Sequence, residues 1–293
     1  MKTFDTIDEL RAWVGGEKRR GLSVAFVPTM GALHGGHRAC IEKAAELGDV
    51  VVVSIFVNPT QFGPGEDLDK YPATLDKDLE LCRNLGVAAV FVPETREMYT
   101  TNQNVWVEVE GLTSPLCGRS RPGHFRGVAT VVAKLFNIVA PDTAVFGQKD
   151  AQQAVVINEM VTRLNLPVRV ALAPTIREPD GLALSSRNGY LGDADRQRAA
   201  SIYQALLAGR DAISRGDRTA KTIIEAVQTR LATGGIDDVE YVELVTADTL
   251  EPIDRVEGRV LLGVAVRIGT TRLIDNVVLT VAADGGVTEA MLF

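Results

Sequence analysis

The chain has 293 residues, too long for one typical core and suited to two domains or one large α/β domain, and 46% of them are hydrophobic, ample for a sizeable interior. Its net charge of −7 excludes general affinity for nucleic acid or anionic membrane, since both reward a basic surface. An anionic ligand must therefore be held by local clusters of cations.

Residues 1–11 lack the apolar centre of a signal peptide. Thr6 with Glu9 predicts a capping box opening a short helix. No apolar run is long enough to span a bilayer, and Cys40, Cys82 and Cys117 form no C-x-x-C pair. A reduced, cytoplasmic protein is expected. From Leu22 the chain alternates apolar runs with helical periods. Strands are predicted at Ser23–Val27, Val50–Val57, Val87–Val92, Thr143–Phe146 and Val168–Leu172. Helices fall between them at His37–Leu47, Leu75–Leu85, Val128–Val139 and Ala151–Leu164. This rhythm specifies an α/β fold, a Rossmann-like doubly wound parallel sheet whose ligands bind beyond the strands' carboxyl ends. After about Thr175 the texture changes. Helices at about Asp193–Arg215 and Ala220–Ala232 precede strands near Val239–Val245, Arg259–Val266 and Val277–Val281. The expected division is a Rossmann-like domain over 1–175 and a smaller α+β domain over 176–293.

Chemistry concentrates where predicted strands run into helices. Two of only three histidines, His34 and His37, stand one helical turn apart after Pro28-Thr29-Met30-Gly31, with Gly35 and Gly36 between them. A helix start supplies unpaired N–H groups and a positive dipole end, so imidazoles there suit phosphate oxygens. A plain helix cap and a metal site remain alternatives, although no His-Glu-x-x-His or cysteine cluster supports the metal. Phe146-Gly147-Gln148-Lys149-Asp150 repeats the strand-to-helix placement. Its lysine suits a phosphate and its aspartate a pair of ribose hydroxyls; a solvated Lys-Asp pair is the alternative. Ser185-Ser186-Arg187 brings hydroxyl donors and a permanent cation to the expected domain boundary, as a mobile clamp or an ordinary polar loop. Asn58 and Gln61 lie at the end of the second long strand, where neutral amides suit a hydroxylated carboxylic acid. Arg119, Arg121, His124 and Arg126 form a basic stretch, either a lid over phosphates or a contact loop between subunits.

Taken together and in this order, PTMGALHGGH, SIFVNPTQF, RPGHFRGVATVVAKLFNIVAPD, FGQKDAQQ and DGLALSSRNGYL resemble the pantothenate synthetase family of HxGH nucleotidyltransferases. The resemblance covers about Phe26 to Leu191. It implies an ATP-dependent ligase that joins pantoate to β-alanine through a pantoyl adenylate, releasing AMP and pyrophosphate, with Mg²⁺, as a homodimer built on the first domain. It implies phosphate binding by His34, His37, Lys149, Ser185, Ser186 and Arg187, and nucleotide contacts at Gly147 and Asp150. Pantoate contacts are implied for Gln61 and Gln153, with Met30 lining the site for both pantoate and ATP. Asn58, Arg121 and His124 are possible contacts for β-alanine or phosphate. The chain has Lys77-Asp78 where some members carry adjacent acids, which leaves Asp78 alone as a metal contact. Leu184 precedes the Ser-Ser-Arg run where members vary between Met and Leu. A nucleotidyltransferase acting on a phosphorylated substrate and a nucleotide-binding regulatory module are the competing readings.

Overall fold

The computed structural model describes residues 1–100, 103–282 and 284–293. The chain begins with β1 (Lys2–Phe4) and α1 (Ile7–Arg19). Thr6 caps α1 by accepting from Glu9 N, while the Glu9 carboxylate accepts from the Thr6 hydroxyl at 2.9 Å. The β-branched runs then form β2 (Val24–Thr29), α2 (Gly35–Leu47) and β3 (Val50–Ile55), followed by α3 (Leu75–Asn84), β4 (Ala89–Phe91) and α4 (Thr95–Met98). After α5 (Cys117–Ser120) come α6 (His124–Val139), β5 (Thr143–Gly147), α7 (Ala151–Arg163) and β6 (Arg169–Ala173).

The six strands make one sheet in the order β1-β4-β3-β2-β5-β6, every pair parallel. Parallel strands covered on both faces must be apolar on both, which is why all six residues of β3 are buried. The winding direction reverses between β2 and β5. The carboxyl ends there open into the turn before α2 and into Gly147, the position where doubly wound sheets take ligands. Val27, Ile41, Val53, Val90 and Val145 form the core beneath this end.

Two units divide the chain. The first contains Met1–Thr113, Arg121–Gly147 and Val156–Pro174; the second contains Ser114–Ser120, Gln148–Val155 and Thr175–Phe293. The second unit has helices α8 (Asp193–Ala199), α9 (Ser201–Ser214) and α10 (Ala220–Thr233). Its sheet is antiparallel, in the order β10-β9-β8-β7, from β7 (Val239–Thr246), β8 (Gly258–Ile268), β9 (Thr271–Val281) and β10 (Val287–Glu289). Leu206, Ile213, Ile223, Leu231, Leu262 and Leu279 lie at its centre.

Several boundaries differ from expectation. Helix α6 starts at His124, four residues before the predicted Val128, because Gly123 (φ 82°) makes the entry turn. The single helix expected over Asp193–Arg215 is two, joined at Ala200. The strand expected from Val277 begins at Thr271, its polar first half paired with β8 from Ile268↔Thr271 onward.

Candidate active site

The turn between β2 and α2 takes an unusual backbone. Gly31 (φ 85°) and Ala32 (φ 51°) both occupy the left-handed region, which is free for glycine but costs an alanine about 1 kcal/mol or more. Asp78, on α3 and 3% exposed, holds this turn. Its two oxygens accept from Ala32 N at 2.9 Å and Leu33 N at 2.8 Å, and one also accepts from the Thr74 hydroxyl at 3.1 Å. Asp78, the possible metal contact of the sequence, thus has a structural task in this turn. No group of three or more His, Cys, Asp or Glu side chains suited to a metal occurs among the described residues.

The turn delivers both histidines. His34 caps α2, its Nδ1 accepting from Gly36 N at 3.1 Å, and His37 Nδ1 accepts from His34 N at 3.2 Å. A ring nitrogen that accepts from a backbone N–H carries no proton, so each imidazole carries its hydrogen on Nε2. The rings lie 4.2 Å apart between centroids. Both rings therefore serve the start of α2 through Nδ1 and carry their proton on the opposite nitrogen.

Beyond β3, Asn58 and Gln61 form a buried amide pair in the 3-10 turn Pro59–Gln61. Asn58 Nδ2 donates to Gln61 Oε1 at 3.0 Å and to Gly127 O at 3.2 Å, while its Oδ1 accepts from Thr60 and from the Tyr99 hydroxyl. Asn58 is 1% exposed and fully engaged, so it orients Gln61 instead of contacting β-alanine or phosphate as expected. Gln61 Nε2 points to Met30 Sδ at 2.9 Å, bringing two of the three expected pantoate residues together. Helix α6 comes so close that a Cβ on Gly127 would lie 2.8 Å from Gln61 Cα, and only glycine fits.

Arg121 and His124 brace the same turn. Arg121 binds Glu66 through two nitrogens at 2.7 and 2.5 Å and donates to Gln61 O and His124 Nε2. His124 Nδ1 lies 2.7 Å from Gln61 O, which can only accept, so the proton sits on Nδ1. Both side chains support the Gln61 backbone, where a ligand contact was expected. Burial pushes the Glu66 carboxyl upward, but the Arg121 hydrogen bonds and charge outweigh it and hold the group below its ordinary value of 4.5. A carboxyl lowered on folding stabilises above its ordinary value and stops doing so as pH falls through the folded value. Glu66→Gln is thus expected to lower the melting temperature at pH 7, with the gap from the parent closing below about pH 4.5. Thermal unfolding across pH measures this, and a gap that widens in acid would contradict it.

The remaining expected residues, apart from Gly147 at the end of β5, belong to the second unit. Lys149 sits in the 3-10 turn Gln148–Asp150, its Nζ 3.8 Å from Asp150 Oδ1. Asn276 on β9 donates to Gln148 O at 3.2 Å and Lys149 O at 2.8 Å, and Leu292 N donates to Gln148 Oε1. Its neighbour Asp275 is 3% exposed and pairs with Arg177 at 2.6 Å. Burial raises the Asp275 carboxyl, opposed by that guanidinium, which itself stacks on Tyr203 at 3.7 Å. Gln153 lies in the first turn of α7. Ser185 caps the 3-10 turn Ser186–Tyr190 by accepting from Arg187 N at 3.3 Å, which leaves its own hydroxyl proton as a donor. Tyr99, Glu66, Asp275 and Asn276 carried no sequence signal, because each acts on a partner tens of residues away in the chain.

A model of the pantoate-beta-alanine ligase family matches residues 2–278. A pantothenate synthetase from Moorella thermoacetica is 52% identical over 96% of this chain and 99% of its own length. One from Acetivibrio thermocellus is 48% identical over 96% of this chain and 100% of its own. The crystal structure of pantothenate synthetase from Thermus thermophilus superposes with a TM-score of 0.89 at 45% identity, covering 94% of this chain and 98% of that one. The pantoate-beta-alanine ligase of Francisella tularensis, complexed with beta-gamma ATP and beta-alanine, gives 0.79 at 35% identity, covering 94% and 97%. The parallel sheet, the histidine turn and these matches together make the chain a member of the pantoate–β-alanine ligase family, the enzymes that use ATP to condense pantoate with β-alanine into pantothenate.

Proposed function

We propose that His34, His37, Lys149, Ser185, Ser186 and Arg187 bind ATP phosphates, that Gly147 and Asp150 contact the nucleotide, and that Gln61, Gln153 and Met30 take pantoate. The observation that carries this reading is the histidine pair, whose Nδ1 atoms cap α2 and whose protons are thereby placed on Nε2.

A pantoate carboxylate is ionised at neutral pH and needs no base to attack. Its oxygen forms a bond to the ATP α-phosphorus as the bond to pyrophosphate breaks. The protein's share is alignment and positive charge on the departing pyrophosphate, which imidazole, ammonium, guanidinium and hydroxyl donors supply. In the second step the β-alanine nitrogen attacks the acyl carbon and AMP leaves. The second unit serves as a lid through the Ser185–Arg187 turn, keeping water from the adenylate. Mg²⁺ belongs to the reading as the companion of ATP phosphates. Asp78 is engaged by three protein hydrogen bonds and no cluster of metal-ligating side chains occurs among the described residues, so the ion would be held mainly by phosphate and water oxygens, where it would neutralise phosphate charge. A homodimer is supported by the adjacent exposed side chains of Val105 and Trp106, and a cytoplasmic location by three buried cysteines outside any disulfide.

The test is to mix enzyme, ATP and pantoate without an amine. About one pyrophosphate per site is expected, followed by a stall with the adenylate held, and β-alanine then releases AMP. Continuous AMP release at full rate without β-alanine would sink the sequestration. No pyrophosphate at all would sink the adenylate route.

A further inference from the structure

We propose that Tyr99 is a positioning residue for pantoate, holding the Asn58 amide so that Gln61 faces the substrate with N–H donors only. The inference rests on the reading of Gln61 as a pantoate contact and adds which end of its amide does the recognition.

The argument is one of donor and acceptor counting. An amide carries a carbonyl that only accepts and an NH₂ that only donates, and either end of Gln61 fits the same space. Asn58 decides which end turns inward, by offering Nδ2 to Gln61 Oε1 at 3.0 Å. Asn58 has the same ambiguity and is settled in turn. Its Oδ1 accepts from the Tyr99 hydroxyl at 2.8 Å, from the Thr60 hydroxyl at 2.9 Å and from Thr60 N at 3.3 Å. Flipping Asn58 would set an NH₂ against the Thr60 N–H, which cannot accept, and would take the shared acceptor from the Tyr99 and Thr60 hydroxyls, themselves 3.3 Å apart. Gly127 O, a pure acceptor 3.2 Å from Nδ2, enforces the same orientation from the far side.

Among the described residues, Tyr99 is the side chain from outside the 58–61 turn that donates to the Asn58 amide. It is 9% exposed, its ring packs near Phe56, and the Lys134 ammonium sits 5.3 Å from its ring centroid. Burial raises its hydroxyl above the ordinary value, so it remains a proton donor across neutral pH. The end result is Gln61 Nε2 directed at Met30 Sδ. A thioether is a weak acceptor, so a carboxylate or hydroxyl oxygen of pantoate displaces it readily. Gln61 then recognises lone pairs on the substrate and rejects an analogue that presents a donor at that point.

The test compares Gln61→Ala, Tyr99→Phe and the double variant by steady-state kinetics, with thermal unfolding as a check on folding. Tyr99→Phe keeps the ring and removes the hydroxyl, with its hydrogen bonds to Asn58 Oδ1 and Thr60 Oγ1. It is expected to raise the KM for pantoate about three- to tenfold, leaving kcat and the KM for ATP within about twofold. In the Gln61→Ala background the same change is expected to have no further effect, because no amide remains to be oriented. If Tyr99→Phe leaves the pantoate KM unchanged, or multiplies the Gln61→Ala defect independently, Tyr99 does not act through Gln61. A general loss, with kcat and both KM values moving together, also overturns the inference. If Gln61→Ala itself leaves the pantoate KM unchanged, the underlying assignment of Gln61 fails and the inference with it.

Discussion

Lys149→Ala and His37→Ala are each expected to slow adenylate formation by about 10²- to 10³-fold, the usual effect of removing one donor from a preorganised charged site. Both act, in the proposed mechanism, on charge that builds as pyrophosphate departs. The second half-reaction, started from supplied pantoyl adenylate and β-alanine, contains no pyrophosphate and should suffer far less. His37 needs a control, because its Nδ1 also accepts from His34 N and its loss disturbs the start of α2. His37→Asn keeps an acceptor near the Nδ1 position and deletes the Nε2 donor. It should unfold like the parent yet be as slow as His37→Ala in the first half-reaction. Lys149 caps no helix, and the Asn276 contact holds its backbone carbonyl; its ammonium does face Asp150 at 3.8 Å and favours the buried Asp275 carboxylate, so thermal unfolding of Lys149→Ala is the control there. Rapid-quench measurement of each half-reaction decides the matter. Equal damage to both steps would show that these residues shape the site in general.

Asp78→Asn should also have a large effect, although Asp78 touches no substrate in this reading. The substitution is isosteric, but one of the two oxygens receiving Ala32 N and Leu33 N becomes an NH₂ facing a donor. Losing a charge-assisted bond and burying an unmatched donor costs about 2–3 kcal/mol. The turn at Ala32 (φ 51°) relaxes once unpinned, and it carries both histidines. A displacement of about 1 Å at such a point costs about 10² in rate. The expected result is a lower melting temperature and an adenylation rate down by about two orders of magnitude, with no recovery at high Mg²⁺. Recovery with added Mg²⁺ would return Asp78 to the role of metal contact.

The parallel sheet was legible because buried parallel strands demand apolar residues on both faces, and Val24–Val27 and Val50–Val53 meet that demand without interruption. The histidine turn was legible because two of three histidines share one helical turn. β1 was missed: three residues of ordinary polarity become a strand only because Phe4 aligns with Phe91 on β4. The first half of β9 was missed because Arg272 and Asp275 are charged, and what pairs them, Glu240 and Arg177, lies elsewhere in the chain. Asn58, Arg121 and His124 looked like ligand contacts because their residue types suit ligands. A sequence lists donors and acceptors without saying which are already engaged, and here Glu66, Tyr99 and the carbonyl of Gln61 engage them.

The interleaving of the two units bears on any attempt to separate them genetically. A gene cut at 174/175 looks natural from the change of texture, yet the fragment downstream would lack Ser114–Ser120 and Gln148–Val155, which belong to its own unit. Asn276 would lose the carbonyls of Gln148 and Lys149, Leu292 N would lose Gln148 Oε1, and Tyr241 would lose the Cys117 thiol. Those groups are partly or wholly buried, so their loss strands polar atoms in the fragment's interior. An expression plasmid for this half must therefore graft both upstream peptides onto it; a stop codon and a new initiator methionine do not suffice.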